Sequence, residues 1–152
     1  MAAEISRAAD NDEEKDADSL LLSMCFGMQA MAAGALVVGQ TKVNYNAYMS
    51  DFLSPAIAQK YKLERSKQLG GLNINLDTAG KKVASTIKGT VRAEGEKKAT
   101  PLTFKQVIDD SGAIDYFAQF PVNKPQTFVF DIELKINGET SDLKFSQLVA
   151  PL

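Results

Sequence analysis

The chain has 152 residues, with 17 Lys and Arg against 19 Asp and Glu, a net charge of −2, one cysteine and no histidine. That length suits one domain whose core can fold without cross-links. The lone cysteine excludes a structural disulfide within the chain, and the lack of histidine excludes imidazole catalysis and His-based zinc sites. No basic run with interleaved aromatic residues occurs, so no nucleic-acid partner is expected.

The charge is divided unevenly along the chain. Residues 1–32 carry two basic and seven acidic residues, whereas residues 33–152 carry 15 basic and 12 acidic residues. Residues 1–19 are acidic and poor in large apolar groups, which predicts a disordered head. Residues 20–35 resemble a signal peptide, because an uncharged apolar run precedes the small-x-small tripeptide Ala30-Met31-Ala32. We expect cleavage between Ala33 and Leu36 and export to the periplasm.

Other interpretations of this apolar segment stay open. The flank before it is acidic, whereas a signal peptide begins with a basic region. Counted as Leu20–Val38, the segment is nineteen residues long, enough for an inner-membrane anchor. It could also be an apolar helix that is never exported. Cys25 lies within it, but Met24 stands where a lipoprotein signal needs a small residue.

Residues 39–152 are predicted to form an all-β domain interrupted by one short helix. Alternating apolar and polar residues over 43–47 predict the first strand. Ser54 and Pro55 then predict a helix, with Ser54 as its N-cap and Pro55 at its first position. Gly70-Gly71 is expected to end this connection, and Gly89 is interpreted as a β-bulge. The next strands are predicted to point inward at Leu72, Ile74 and Leu76; Val83, Ile87 and Val91; Leu102, Phe104 and Ile108; and Ile114, Tyr116, Ala118 and Phe120.

The clearest pattern lies at the C-terminal end. Five apolar residues alternate with other residues over 127–136, and alternation resumes over 143–149. Between them stands Asn137-Gly138, the dipeptide typical of a type I′ turn, whose two central residues need positive φ. These features predict an antiparallel hairpin with one buried aromatic face. With the preceding strands it makes seven, at a spacing that predicts a two-sheet antiparallel sandwich.

Short matching motifs in the same order make the chain similar to the family known as domain of unknown function 4426. The motifs are Gly39, Val43-Asn44-Tyr45-Asn46-Ala47, Phe52-Leu53, Ala58, Tyr61, Arg65-Ser66-Lys67, Leu72-Asn73-Ile74, Gly112-Ala113-Ile114, Tyr116, Ala118, Phe120-Pro121-Val122, Phe128, Phe130-Asp131 and Leu143-Lys144-Phe145. The resemblance spans about residues 39–147. It implies a small exported bacterial protein with an immunoglobulin-like sandwich, and it implies no activity. The acidic head departs from the plain signal peptide of the family, which bears on where translation starts.

Five residues are candidates for a binding role: Tyr45, Asn46, Tyr61, Arg65 and Lys67. Arg65 and Lys67 could hold a carboxylate or phosphate, or could instead stabilise the helix C-terminus. Tyr45 and Asn46, with Tyr48 on the same strand, could line a groove. Alternation places Asn46 and Tyr48 on one face and Tyr45 on the inward face, where it would be a core ring.

Two acidic motifs have plainer interpretations. Asp109-Asp110-Ser111-Gly112 lacks the ligand spacing of a calcium loop and has the composition of a turn. Asp131 and Glu133 share a strand face about 7 Å apart by the two-residue repeat, a separation that suits glycoside hydrolysis but also an ordinary solvated face.

The sequence favours a non-catalytic binding or accessory module that offers a strand edge or loop surface to a periplasmic or envelope protein. No cofactor and no metal are expected. Two alternatives remain: an enzyme working through carboxylates, Lys, Ser or Tyr, and a self-associating assembly subunit. Converging Asp and Glu side chains in a pocket would favour the enzyme, whereas a long exposed edge strand would favour the binding module.

Overall fold

The computed structural model describes residues 34–151, which contain nine strands, a 3₁₀ turn and one short α-helix. The turn is Ser50–Phe52 and the helix, α1, is Pro55–Tyr61. The strands are β1 Gly34–Val38, β2 Thr41–Met49, β3 Leu69–Asp77, β4 Ser85–Ala93, β5 Thr100–Pro101, β6 Lys105–Ile108, β7 Ile114–Pro121, β8 Gln126–Ile136 and β9 Glu139–Val149.

The strands form two antiparallel sheets that pack face to face as a β-sandwich. The order is β1-β2-β3-β7-β6 in the five-stranded sheet and β5-β4-β8-β9 in the four-stranded sheet. The inward residues of both sheets make one apolar core. At its centre Phe130 stacks on Phe145 with ring centroids 4.8 Å apart, and Phe120 meets Phe130 edge-on at 5.4 Å. The aromatic residues of the hairpin thus hold the two sheets together.

The C-terminal hairpin is confirmed. β8 pairs with β9 from Gln126↔Val149 to Ile136↔Glu139, and both Asn137 and Gly138 have positive φ, as a type I′ turn requires. The predicted inward residues of β8 are all buried: Phe128, Phe130, Ile132, Leu134 and Ile136.

The predicted helix is confirmed as well. The Oγ of Ser54 accepts a hydrogen bond from the backbone N–H of Ile57, and Pro55 occupies the first helical position. Within residues 34–151 the structure contains no helix that is both long and apolar enough to cross a membrane.

The structure has nine strands where the sequence predicted seven. β1 lies ahead of the predicted domain start at residue 39, in the part of the apolar segment that the anchor interpretation Leu20–Val38 assigned to a helix. Its five residues pair with β2, from Gly34↔Tyr45 to Val38↔Thr41. Residues 1–33, which hold the predicted acidic head, Cys25 and most of the signal-like segment, lie outside the described residues. The second additional strand is β5, because the predicted fourth strand divides into β5 and β6, which belong to different sheets.

Three local predictions were wrong. Gly70-Gly71 does not end the connection but lies within β3, where a Cβ on Gly71 would fall 2.6 Å from the Tyr48 ring. Gly89 is not a bulge, because the β4–β8 register runs unbroken from Ser85↔Ile136 to Ala93↔Phe128. Instead a Cβ on Gly89 would fall 2.8 Å from the Asp131 carbonyl oxygen, so glycine permits close strand approach there. Ile108 is 54% exposed and does not point into the core.

Candidate functional site

The outer face of the five-stranded sheet carries rows of side-chain amides. In one row Asn46 of β2 lies opposite Asn73 of β3, and Asn73 lies opposite Phe117 of β7. The next row places Asn44, Asn75 and Asp115 side by side in the same strand order. Asparagine is disfavoured in strands, so four of them on one sheet face form an unusual surface.

The segment that connects β2 to β3, residues 50–68, forms a wall beside these rows. Its two ends are tied together by Ser50, which is fully buried: its Oγ donates to the Ser66 carbonyl at 3.0 Å and accepts from the Ser66 N–H at 2.9 Å. Arg65 donates from Nε to the carbonyl oxygen of Leu53 at 2.7 Å and from Nη2 to that of Asp51 at 3.2 Å. The guanidinium therefore holds the turn that carries Phe52 against the segment after α1.

Helix α1 is fastened to the outer face by side chains from β6 and β7. Lys105 donates from Nζ to the carbonyl oxygens of Tyr61 and Lys62, at 3.0 and 2.9 Å, where the helix ends. The Gln119 amide donates to the Glu64 carbonyl at 2.7 Å and accepts from the Glu64 N–H at 3.2 Å. The ring of Tyr61 stacks on Phe117 at 5.2 Å, which leaves Phe117 only 8% exposed on an outward position.

Between this wall and the amide rows lies a groove of about 340 Å³. It is lined by uncharged side chains only, namely Asn46, Tyr48, Phe52, Leu53, Asn73 and Phe117. Phe52 is 60% exposed at its rim, whereas burial raises the pKa of Tyr48 to about 12. The groove therefore combines aromatic surface with amide groups and offers no formal charge along its lining, the composition of a ligand pocket and not of an anion site.

Two residues outside the lining control the amides. Asp115 accepts hydrogen bonds on Oδ1 from Asn73 at 3.2 Å and from Asn75 at 3.1 Å. Gln147, buried at 5% exposure, reaches across from β9 in the other sheet. Its Oε1 accepts from the Ala47 N–H at 3.2 Å, and its Nε2 donates to the Ala47 carbonyl at 2.6 Å and to the Asn46 side-chain oxygen at 3.5 Å. This amide therefore satisfies both the N–H and the carbonyl of Ala47 in the backbone of β2.

The five predicted binding residues have different places in this arrangement. Asn46 lines the groove, Tyr61 packs behind Phe117, and Arg65 holds the wall by bonding to backbone carbonyls instead of an anion. Tyr45 lies against the core, with its ring centroid 4.4 Å from that of Phe145, and burial raises its pKa. Lys67 is exposed and does not line the groove.

Sequence reasoning named Tyr48 with Asn46 as residues that could line a groove, and both do. It did not select Phe52, Asn73 or Phe117 as site residues. A signal was present, because outward strand positions held Asn44, Asn46, Asn73 and Asn75 where β-branched or charged residues are usual. Joining them into one surface needs the register of three strands, which the alternation pattern does not contain.

Carboxylates gather on the other sheet instead. An open cavity of about 400 Å³ on its outer face is bordered by Asp131, Glu133 and Asp142. Glu133 pairs with Lys88 of β4 and Asp131 with Lys144 of β9, both at 3.8 Å, so the two carboxylates turn toward opposite neighbouring strands. Such exposed pairs have the character of a solvated face.

The Asp109 motif behaves as a turn. The Oδ1 of Asp109 accepts from the Ser111 hydroxyl, the Ser111 N–H and the Ala113 N–H. The hydrogen bond from the Ser111 side chain is the main cause that lowers the pKa of Asp109. In the part of the chain that the structure describes, no three His, Cys, Asp or Glu residues are grouped so that they could hold a metal ion.

Comparison with known proteins identifies the family. A family model described as Domain of unknown function (DUF4426) matches residues 36–149. The chain belongs to the DUF4426 family. A crystal structure of a DUF4426 family protein from Pseudomonas aeruginosa PAO1 is 32% identical, with a TM-score of 0.67, over 79% of this chain and 96% of that one. No curated protein sequence matches.

A second solved structure is similar in fold alone. It is a copper-bound variant of FetP from uropathogenic Escherichia coli strain F11, 11% identical, with a TM-score of 0.55 over 80% of this chain and 97% of that one. At this identity the similarity extends to the sandwich and not to a site.

Proposed function

We propose that this DUF4426 protein is an exported, non-catalytic binding module that takes its ligand in the groove between Phe52 and the amide rows. The observation that carries the proposal is the lining of the groove. Aromatic rings and side-chain amides converge there, whereas catalysis by general acid and base would need a pair of titratable groups beside the ligand. Asp115 stands behind the amides and accepts hydrogen bonds from them, which makes it a positioning residue.

An immunoglobulin-like arrangement is part of this proposal, and strand order supports it. Without β1, the five-stranded sheet runs β2-β3-β7-β6 and the other runs β5-β4-β8-β9. Naming β2, β3, β4, β6, β7, β8 and β9 as A to G gives sheets ABED and CFG, the order of an immunoglobulin constant domain, with β5 added beside C. In this description β1 is an additional strand that extends the first sheet beyond A.

Binding through the groove is tested with variants that change its rim and keep its fold. The full-length protein, Phe52→Ala and the control Ile108→Ala are each immobilised and incubated with soluble extract of the bacterial envelope. Phe52 and Ile108 are both exposed apolar residues, at 60% and 54%, but Ile108 lies away from the groove lining. We expect material retained by the wild type and by Ile108→Ala to be lost with Phe52→Ala. Equal retention by all three, or by none, would exclude the groove as the binding site.

Export is the second part of the proposal, supported by the apolar segment and Ala30-Met31-Ala32. Cleavage directly before Ala33 would leave β1 whole, whereas cleavage before Leu36 would remove its first two residues and their pairing with β2. We therefore expect Ala33 as the first residue when the protein is recovered from the periplasm and sequenced from its N-terminus. Protein that retains the residues before Ala30, or stays in the cytoplasm, would contradict export through a cleaved signal.

A second candidate is an assembly subunit that pairs through a sheet edge. The observation that favours it is β9, an eleven-residue strand at the border of the four-stranded sheet. Asp142 and Lys144 are exposed along it, and such charges oppose pairing between edges. Sedimentation velocity over a range of protein concentrations separates the two candidates. The sedimentation coefficient of an assembly subunit would rise with concentration, whereas the groove-binding module would stay monomeric.

A further inference from the structure

The orientation of the Asn73 amide is fixed by what lies behind it. Its Nδ2 donates to the Asp115 carboxylate at 3.2 Å and to the Tyr116 carbonyl at 3.4 Å. Neither acceptor has a proton to give, so the nitrogen and not the oxygen must face them. Both N–H groups of the amide are then occupied, and the side-chain oxygen of Asn73 is the group left to face the groove.

The Asn46 amide is oriented in the opposite sense. The backbone N–H of Ala47 must donate, so the group that accepts from it is the oxygen of Gln147, and the Gln147 nitrogen is the group that lies beside Ala47 carbonyl and Asn46. The nitrogen donates to the Asn46 side-chain oxygen at 3.5 Å. Asn46 therefore keeps its Nδ2, with two N–H donors, for the groove.

These two amides are direct cross-strand neighbours, Asn46↔Asn73. Side chains in that relation have Cβ atoms about 4.5–5.5 Å apart. The groove floor thus presents one donor and one acceptor side by side, and a hydroxyl group, which both donates and accepts, satisfies the two at once. Beside them the exposed ring of Phe52 and the ring of Tyr48 offer flat aromatic surface.

We infer that the groove binds a neutral saccharide, with one hydroxyl held between Asn46 Nδ2 and Asn73 Oδ1 and a C–H face of the sugar ring against Phe52. This assignment rests on the proposed function and names its ligand class. The uncharged lining disfavours phosphates, carboxylates and cations, because nothing there compensates a ligand charge. The negative face of an aromatic ring attracts the weakly positive C–H groups of a sugar.

A peptide fits this surface less well. Peptides bind sheets mainly through free backbone groups at an edge, as an added strand. The groove lies instead on a sheet face, where the backbone groups of β3 are paired with β2 and β7. Only side chains are available to a ligand there, and amides with aromatic rings match hydroxyl groups and C–H faces.

The test begins with the full-length protein on an array of neutral oligosaccharides that contains glucans, mannans, galactans and chitin fragments. Any oligosaccharide that is retained is then titrated by calorimetry against the wild type, Asn46→Asp and Phe52→Ala. Asn46→Asp keeps the shape but replaces the groove-facing donor by an acceptor. Asn123→Asp, on an exposed loop asparagine, controls for the added charge, and Ile108→Ala controls for the lost apolar side chain. An uncharged peptide of glycine, serine and leucine is titrated in parallel.

We expect Asn46→Asp and Phe52→Ala each to weaken saccharide binding by about tenfold or more, the usual effect of losing one good contact, with both controls unchanged. Saccharide binding that Asn46→Asp leaves unaltered would overturn the assigned site. Binding of the peptide but of no saccharide would overturn the ligand class. If the array is blank while retention from envelope extract still depends on Phe52, the saccharide is wrong and the groove-binding function stands.

Discussion

The outer faces of the two sheets present different kinds of side chain to solvent. The four-stranded sheet covers its face with charges that pair across neighbouring strands, Lys88 with Glu133 and Lys144 with Asp131. The five-stranded sheet carries neutral amides and aromatic rings, held by a carboxylate and by an amide from the opposite sheet. Exposed ion pairs contribute little and need no support, whereas oriented amides need partners behind them. This difference supports the proposal that the face with the oriented amides is the one that binds a ligand.

The largest effect should come from the core that both faces share. Phe130 is fully buried, stacks on Phe145 and meets Phe120 edge-on, so Phe130→Ala should lower the free energy of unfolding by about 3–5 kcal/mol. Val129 faces outward on the four-stranded sheet, and Val129→Thr should cost much less. Denaturant midpoints of the two variants measure the difference. Equal losses would mean that the outer face of β8 is covered and that the two outer faces are not comparable.

The next largest effect should come from the link between the sheets. Gln147→Ala leaves the buried N–H and carbonyl of Ala47 without their partner, which typically costs about 1–3 kcal/mol. Gln68→Ala, at an exposed position, is the matched control and should leave the denaturant midpoint unchanged. If both variants unfold at the wild-type midpoint, the amide rows do not depend on the opposite sheet.

The groove should also show itself in alkaline titration. Because burial raises the pKa of Tyr48 from 10.0 to about 12, the unfolded chain loses this proton first. The stability contributed by the neutral phenol is thus fully present below pH 10.0 and is lost as the pH rises toward 12. Ultraviolet absorbance of tyrosinate should show a late-titrating component that is smaller in Tyr48→Phe, where only Tyr45 still has a pKa raised by burial. If Tyr48 instead titrated at the ordinary tyrosine pKa of 10.0, the groove would be as solvated as the charged face of the other sheet.

The smallest effect is expected on the charged face itself. Asp131→Asn and Glu133→Gln each remove one partner of an exposed pair, at 57% and 43% side-chain exposure. Pairs of this kind contribute about 0–1 kcal/mol, and less as salt increases. Chemical denaturation at low and high salt should place both variants within that range. A larger, salt-resistant loss would show that the carboxylates have a structural or catalytic part that their ion pairs conceal.

Much of the fold followed from local patterns. The buried residues of β8 alternate along one continuous stretch, and the turn at Asn137-Gly138 has a demand that few dipeptides meet. Ser54 and Pro55 likewise act on the helix that directly follows them. In each case the sequence pattern and the structure that it produces lie within a few residues of each other, so contacts with distant segments do not change the outcome.

What escaped prediction depends on contacts between distant segments. β1 is apolar without clear alternation, so in sequence it merges with the signal-like run before it. The division of residues 100–108 between two sheets follows from a crossing of the sandwich, which hydrophobic periodicity does not encode. The groove combines side chains of β2, β3 and β7 with the turn after β2, and Gln147 supports it from 100 residues beyond Ala47. Such a site exists only in the assembled register.

The hydrogen bonds between Gln147 and Ala47 also affect the order in which parts of the chain can fold. Gln147 is synthesised 100 residues after Ala47, so the N–H and carbonyl of Ala47 have to wait for β9 before they gain this partner. The core depends on the same strand, because Phe145 of β9 stacks on Phe130 of β8 at its centre. Contacts of such long sequence separation form slowly. We therefore expect the two sheets to close on each other only after β9 has been synthesised, because the core and the Ala47 backbone both need residues of that strand.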